Sequence, residues 1–426
     1  MPSPLPENTP DDAASPNRGG DASSLSEDEA ASVTNGAGQR TAGTTPAPQA
    51  PGTTGNAENV SVVHDDEAHW LEAEDFLPAA GPISVRSKPG PGLFESLLWA
   101  IGYLPVQVLA AIAISLLLAA VHGLTSGVDQ IPPFLRDLPV KQQVSLLGGV
   151  QLICVLVAIG LVVIRLGKSS RRRLALVPIP PLHCLLILVF VVPLAMLSGQ
   201  MHGWGMSIWE QFGPDAAWLE QTHSMLVLEQ LSESTSLPVL IMIIAVAPAL
   251  AEELVFRGVI GRGLVARWGL PAGVLLTSVL FAAVHVHPVH AMALLPLSIA
   301  IHLVYLATRS FWAPVLLHFM NNAWATVVMK YRSQFPAPEL VEEATLPPEI
   351  LLSAAFCVLA VGALIWKTRI QYFHPDGSVW DPGYATVEQP PPEVLAVARR
   401  TPAPKWLLVL TAISVLMFAA DVAQTS

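Results

Sequence analysis

The sequence predicts an all-α, multi-pass transmembrane helical bundle of about eight or nine helices, preceded by a disordered N-terminal tail. Composition is the first observation behind this fold class: the chain is 52% hydrophobic, 13% charged and has a mean hydropathy of +0.52. Soluble domains carry about 25% charged residues. The second observation is that the apolar residues form long runs, most of them near or above the roughly 17 residues needed to cross hydrocarbon. The third is that acidic and small polar residues are concentrated before residue 90.

Residues 1–90 form the predicted tail. They carry 14 acidic and 4 basic side chains, a net charge of -10, and are rich in Pro, Gly, Ser, Thr and Ala. This composition cannot bury enough apolar surface to offset the entropy of ordering, so we expect the tail to be disordered. Because the whole chain has a formal charge of -11, the rest of it is almost neutral. The charge pattern therefore gives no support for nucleic-acid binding.

Residues 91–426 form the predicted transmembrane domain. Residues 200–236 are mostly polar and predict an outer loop. The spacing of Trp204, Trp209 and Trp218 suits a helix at the headgroup level, but an aromatic belt is the favoured interpretation. Residues 370–403 are Pro-rich and polar, which predicts a connector. The predicted apolar segments lie near 94–123, 143–165, 182–199, 237–260, 270–286, 289–307, 311–329, 350–366 and 406–420.

Lys and Arg beside the spans predict the orientation of the chain in the membrane. Short loops that are rich in these residues stay in the cytoplasm. Alternation from the cationic loop after the second segment places the tail and the connector at 370–403 in the cytoplasm, and residues 200–236 and 330–349 outside. We therefore expect a protein of the cell membrane with a cytoplasmic N terminus. The cations of that loop are Arg165, Lys168, Arg171, Arg172 and Arg173.

The segment near 237–260 contains two adjacent glutamates. Ionisable residues in a span are costly unless they are paired or face water. Glu253 and Arg257 are four residues apart, so they share a helix face and can form an ion pair. Glu252 is rotated from Glu253 by about 100° and is the candidate reactive carboxylate, able to take a proton from water and return it. Pro248 frees the carbonyl of Ile244 and should kink the helix just before the acids.

Two later segments place polar residues one helical turn apart. Phe281 precedes His285 by four residues, and His318 precedes Asn322 by four. Donors from the second pair could converge on one point, which suits the stabilisation of an oxyanion. Each residue alone has a packing explanation, since buried polar side chains often bond helices together. Their occurrence in three successive spans favours a common site.

The three segments resemble the signature of the CPBP (Abi) family, which contains the type II CAAX prenyl endopeptidases and bacteriocin-processing or self-immunity proteins. The family pattern is EExxxR, FxxxH and HxxxN, in that order. The corresponding positions lie within a core at about 235–330. They are Glu252-Glu253-x-x-x-Arg257, Phe281-x-x-x-His285 and His318-x-x-x-Asn322.

This resemblance implies a membrane-embedded endopeptidase that acts on a protein or peptide at the membrane, of CAAX type or like a leader peptide. It implies that Glu252 and His285 activate water, whereas His318 and Asn322 stabilise the oxyanion. The remaining motif residues would support the site; they are Glu253, Arg257 and Phe281.

The sequence assigns no cofactor and leaves the use of a metal open. It has no HExxH, the helical spacing that most clearly indicates zinc. A divalent metal such as zinc could still bind Glu252, His285 and His318, because catalytic zinc often uses two His and one carboxylate. A metal-free glutamate mechanism needs the same residues.

Two other classes of protein would also use buried polar residues in a membrane. A proton- or ion-coupled transporter could use the carboxylates and histidines as relays. A non-catalytic membrane scaffold could keep them for packing and recruit partners through its acidic tail. The complete set of water-activating and oxyanion residues favours the protease.

Overall fold

The computed structural model describes residues 90–126, 139–213, 231–331 and 346–425. Nearly all of the predicted tail, Trp218 and most of the predicted loop at 330–349 therefore lie outside the described residues. Within those ranges, seven helices are long and apolar enough to cross a membrane. The prediction of an all-α transmembrane bundle is confirmed.

The helices follow the predicted apolar segments closely. A short helix, α3, lies in the cationic loop after α2, and an antiparallel pair of strands precedes the last helix. The elements are α1 (Leu93–Ser126), α2 (Val140–Leu166), α3 (Ser170–Arg173), α4 (Pro181–Phe212), α5 (Leu237–Ala283), α6 (Pro288–Thr308), α7 (Trp312–Tyr331), α8 (Pro348–Lys367), β1 (Ile370–Phe373), β2 (Val397–Arg400) and α9 (Lys405–Thr425).

A sharp break divides α5, which runs for 47 residues. Gly269 has φ 75° and ψ -179°, a conformation that is essentially restricted to glycine. A Cβ added to Gly273 would lie 2.4 Å from the Cα of Val265. The two parts of α5 therefore fold back against each other, and they match the separate spans predicted at 237–260 and 270–286.

Two π-helical segments interrupt the first part of α5, at Ile241–Val246 and at Phe256–Gly261. They flank the two adjacent glutamates. Such segments are rare in proteins, and those that occur often lie at functional sites. The second one packs closely against its surroundings, because a Cβ on Gly261 would lie 2.5 Å from the imidazole of His302. His302 of α6 is 2% exposed.

Two apolar clusters hold the bundle together. One joins α4, α6, α7, α8 and α9, with Ile187, Ile301 and Leu317 fully buried. The other joins α1, α2, α5 and α6 and includes Val387 of the connector. Because α5 lies in the second cluster and contacts α7, the helix with the paired acids is in the interior of the bundle.

Two regions predicted as loop or connector contain regular structure. Residues 200–212 continue α4 to Phe212, so Trp204 and Trp209 belong to that helix. Hydropathy marked the end of the apolar run and not the end of the helix. In the connector, β1 pairs with β2, with Ile370 opposite Arg400. These strands have four residues each, too few to give a clear alternating pattern in the sequence.

Candidate active site

Glu253 and Arg257 form the buried ion pair that their spacing predicts. Arg257 Nη1 lies 3.0 Å from Glu253 Oε1, and both side chains are 0% exposed. Arg257 Nη2 donates to the carbonyl and the hydroxyl of Ser298 in α6, at 3.0 and 2.8 Å. The guanidinium also lies 4.5 Å from the ring centroid of Phe281. Arg257 thus joins both parts of α5 to α6.

His318 of α7 lies between the two glutamates of α5. Its Nδ1 is 2.7 Å from Glu253 Oε1, and its Nε2 is 3.9 Å from Glu252 Oε2. The side chains of His318 and Glu252 are 4% and 12% exposed. The motif assigns Glu253 a supporting role, and the structure adds a direct contact with a proposed catalytic histidine.

His285 follows the second part of α5 and bonds to the backbone of the same helix. Its Nδ1 lies 3.0 Å from the carbonyl oxygen of Phe281. Because a carbonyl only accepts hydrogen bonds, Nδ1 is the donor, and in the neutral imidazole Nε2 is then the acceptor. The Phe281 ring is 5.3 Å from the ring of His285 and 5.7 Å from that of His318. Both imidazoles therefore lie around one aromatic ring.

Asn322 is held by the carbonyl that Pro248 frees. Its Nδ2 donates to Ile244 O at 3.2 Å, and its Oδ1 accepts from Asn321 Nδ2 at 3.4 Å. An amide nitrogen has two hydrogens, so this backbone bond uses one of them. The bond fixes Asn322 against the first π-helical segment.

The candidate metal ligands do not assemble into a metal centre. Across the described part of the chain, no group of three or more His, Cys, Asp and Glu side chains could hold a metal ion. His318 Nδ1 lies on Glu253, which leaves Nε2 as the ring nitrogen that could face an ion. The described residues therefore do not form a preformed metal centre.

A cavity of about 290 Å³ lies between α1 and α2, next to the first part of α5. Most of its lining is apolar, and Glu95 at its edge forms an ion pair with Arg165 at 2.6 Å. Val255, three residues after Glu252, lines the side toward α5. The cavity is therefore adjacent to the candidate site without being lined by its acids or histidines.

Two contacts near the site could not be predicted from the sequence. Ser298 binds Arg257 but lies in α6, outside the three motifs. Tyr103 of α1 lines the cavity and packs edge-on against Phe256 at 6.5 Å. Neither residue type is unusual in an apolar helix, so the sequence carried no signal for either contact.

The segment that carries the three motifs matches the model of a known protein family. Residues 234–324 match the model described as "Type II CAAX prenyl endopeptidase Rce1-like". This segment is similar to that family. It contains all the motif residues from Glu252 to Asn322, so the resemblance stated from the motifs is confirmed.

A similar protein is known from Bacillus subtilis (strain 168) under the name "Putative membrane peptidase YdiL". It is 24% identical to this chain over 121 residues. The match covers 28% of this chain and 48% of that protein, so the chain spans about half the length of the relative. No solved structure matches. Together with the apolar helices, these findings identify an integral membrane protein in which one segment is similar to the Rce1-like family.

Proposed function

We propose that this protein is an intramembrane endopeptidase that hydrolyses a peptide bond near the membrane, in a substrate of CAAX type or like a leader peptide. The observation that carries the proposal is the position of His318, with one ring nitrogen toward each of two adjacent glutamates. Ionisable groups are rare inside membrane bundles and are commonly functional there. Here three of them, from two helices, meet within the Rce1-like segment.

Glu252 is the proposed general base. The 3.9 Å between Glu252 Oε2 and His318 Nε2 is too long for a hydrogen bond, so Glu252 is free to accept a hydrogen bond from a water. Glu252 takes a proton from that water while its oxygen forms a bond to the scissile carbonyl carbon. The same proton then passes to the leaving nitrogen as the C–N bond breaks. His285 offers Nε2 as a further acceptor for the water.

His318 and Asn322 are the proposed oxyanion groups. A protonated imidazole donates from both nitrogens, so His318 can bond Glu253 through Nδ1 and the substrate oxygen through Nε2. Glu253 is held by Arg257, and it fixes the orientation of the imidazole ring. Asn322, anchored on Ile244, supplies an amide hydrogen.

The cavity between α1 and α2 is the proposed binding place for an apolar part of the substrate. Apolar pockets with few polar groups are typical of ligand sites, and this one lies beside the helix that carries the acids. A hydrophobic side chain or a covalently attached lipid has suitable chemistry. The substrate would then approach from the bilayer and not from bulk water.

A comparison of membrane proteomes tests the proposal. Cells expressing the wild-type chain and cells expressing Glu252→Gln are compared for new peptide termini in membrane proteins. Glu210→Gln, the same change at an exposed position on α4, is the matched control. We expect a set of termini that the wild type and Glu210→Gln share and that Glu252→Gln lacks.

Identical sets of termini from all three strains, at equal expression, would count against the protease. Uptake into proteoliposomes driven by a pH gradient would then favour the transporter. Loss of function on deletion of residues 1–90, with Glu252→Gln remaining functional, would favour the scaffold.

A further inference from the structure

Part of the connector between β1 and β2 is buried against the bundle. Thr386, Val387 and Glu388 are 9%, 3% and 7% exposed, although the sequence marks this region as polar. We name residues 386–389 the clasp. A carboxylate that is buried in a connector requires partners, because an unpaired buried charge is strongly unfavourable.

Glu388 of the clasp has two arginine partners on different elements. Its Oε1 lies 2.8 Å from Arg172 Nη1 in α3, and its Oε2 lies 2.5 Å from Arg262 Nη2 in α5. The side chain of Arg262 is 4% exposed. One carboxylate therefore links the connector, the loop after α2 and the helix that carries Glu252.

Backbone bonds and apolar packing fix the clasp in this place. Gln389 N donates to Arg172 O at 3.3 Å, and Arg172 Nη1 donates to Gln389 O at 3.0 Å. Glu388 N donates to Thr386 Oγ1 at 3.0 Å. Val387 belongs to the same apolar cluster as Ile260 and Leu264 of α5. The clasp thus has a defined conformation that does not depend on the ion pairs alone.

The clasp contacts α5 directly after a π-helical segment of that helix. Arg262 directly follows the π-helical segment Phe256–Gly261, which contains Arg257. A second contact holds the same place, since a Cβ on Gly263 would lie 2.2 Å from Pro91 O. Arg262 and Arg257 belong to consecutive turns of one helix, so a shift at Arg262 would change the position of Arg257 and of its partner Glu253.

We propose that Glu388 is a positioning residue: through Arg262 it sets the place of α5, and thereby the geometry of Glu252 and Glu253 around His318. This inference rests on the proposed peptidase function. It assigns a role to the connector, which lies outside the Rce1-like segment at 234–324. Small displacements of reacting groups can lower a rate by about a hundredfold.

The test uses the full chain in proteoliposomes and a peptide around a cleavage site found in the proteome comparison. Initial rates give kcat and KM for the wild type, Glu388→Gln, Glu388→Asp, Arg262→Gln and the double variant Glu388→Gln with Arg262→Gln. The control is Glu393→Gln, the same change at an exposed position of the connector. Thermal unfolding is recorded for each.

We expect Glu388→Gln to lower kcat about tenfold to a hundredfold with KM changed by less than about twofold, because the loss concerns the reacting groups. Glu388→Asp keeps the charge and should recover part of kcat. The double variant should be no slower than the slower single variant, since both remove one interaction. Glu393→Gln should behave as wild type.

An unchanged kcat in Glu388→Gln, with only a lower unfolding temperature, would overturn the inference and leave the clasp as a structural contact. If Glu388→Gln does not fold, Glu388→Asp decides, and a wild-type kcat in that variant has the same meaning. An error in the proposed function would give a different result from an error in the role of Glu388, because Glu252→Gln would then cleave the peptide as well as the wild type does.

Discussion

Two adjacent glutamates of α5 have opposite surroundings, and this difference organises the candidate site. Glu253 is fully buried and contacts both Arg257 and His318. Glu252 keeps 12% of its side chain exposed and lies beyond hydrogen-bonding distance of the same histidine. A carboxylate that is committed to two partners suits orientation, whereas one with room for a water suits proton transfer.

Arg257→Gln should therefore destabilise the fold, whereas Glu252→Gln should not. Removing one partner of a buried pair leaves the other charge uncompensated, at a cost of about 3–5 kcal/mol. We expect a clearly lower unfolding temperature in detergent for Arg257→Gln and a wild-type temperature for Glu252→Gln. Equal losses in the two variants would contradict the division of roles.

Asn322→Ala should lower kcat more than it lowers stability. The bond to Ile244 O is a single side-chain hydrogen bond of about 1 kcal/mol, whereas an oxyanion donor contributes about 10²–10³ in kcat. Kinetics on a cleaved peptide, together with thermal unfolding, measure both quantities. A kcat that falls less than about threefold would remove Asn322 from the oxyanion group.

At the scale of single residues, the sequence predicted the pairs that lie within one helix. Glu253 with Arg257, and the carbonyl freed by Pro248, follow from helical spacing alone. Contacts between helices did not follow, because spacing carries no information on which faces meet. The bond from His318 to Glu253 and the bonds from Arg257 to Ser298 required the packed structure.

At the scale of elements, α5 combines three irregular features around the acids. The π-helical segments at Ile241–Val246 and Phe256–Gly261 stand on either side of Glu252, and the break at Gly269 returns the chain toward His285. The hairpin brings Phe281 onto Arg257. The sequence predicted two spans here but not the π-helical turns, which have no reliable residue signature.

Gly269→Ala should destabilise the protein through its backbone conformation. No atom lies within 4 Å of the place that a Cβ would take, so the expected penalty of about 1–3 kcal/mol is conformational. Gly160→Ala is the matched control, since Gly160 also has open space but lies within helix α2. We expect a lower unfolding temperature for Gly269→Ala only, and equal temperatures would show that the break is not needed.

For the complete chain, the cationic loops and the apolar helices predict an orientation in the membrane. Arg172 of the loop after α2 and Glu388 of the connector are in contact, so both segments lie on the same side, as alternation of the spans requires. The positive-inside rule predicts that this side is cytoplasmic. This contact supports the predicted relation between two distant loops.

Labelling of single cysteines tests the orientation. With Cys154, Cys184 and Cys357 replaced by Ala, a cysteine is introduced as Glu393→Cys in the connector or Ser333→Cys in the predicted outer loop. A membrane-impermeant maleimide should label Ser333→Cys in intact cells and Glu393→Cys only after permeabilisation. The reverse pattern would invert the topology.

The role of Glu252 is best measured as the rate at which the purified chain in proteoliposomes cleaves a peptide from the proteome comparison, for the wild type and for Glu252→Gln. We expect Glu252→Gln to slow cleavage by at least about a hundredfold, the range of general acid–base catalysis, while its unfolding temperature stays at the wild-type value. Cleavage at the wild-type rate by a correctly folded Glu252→Gln would rule out Glu252 as the general base.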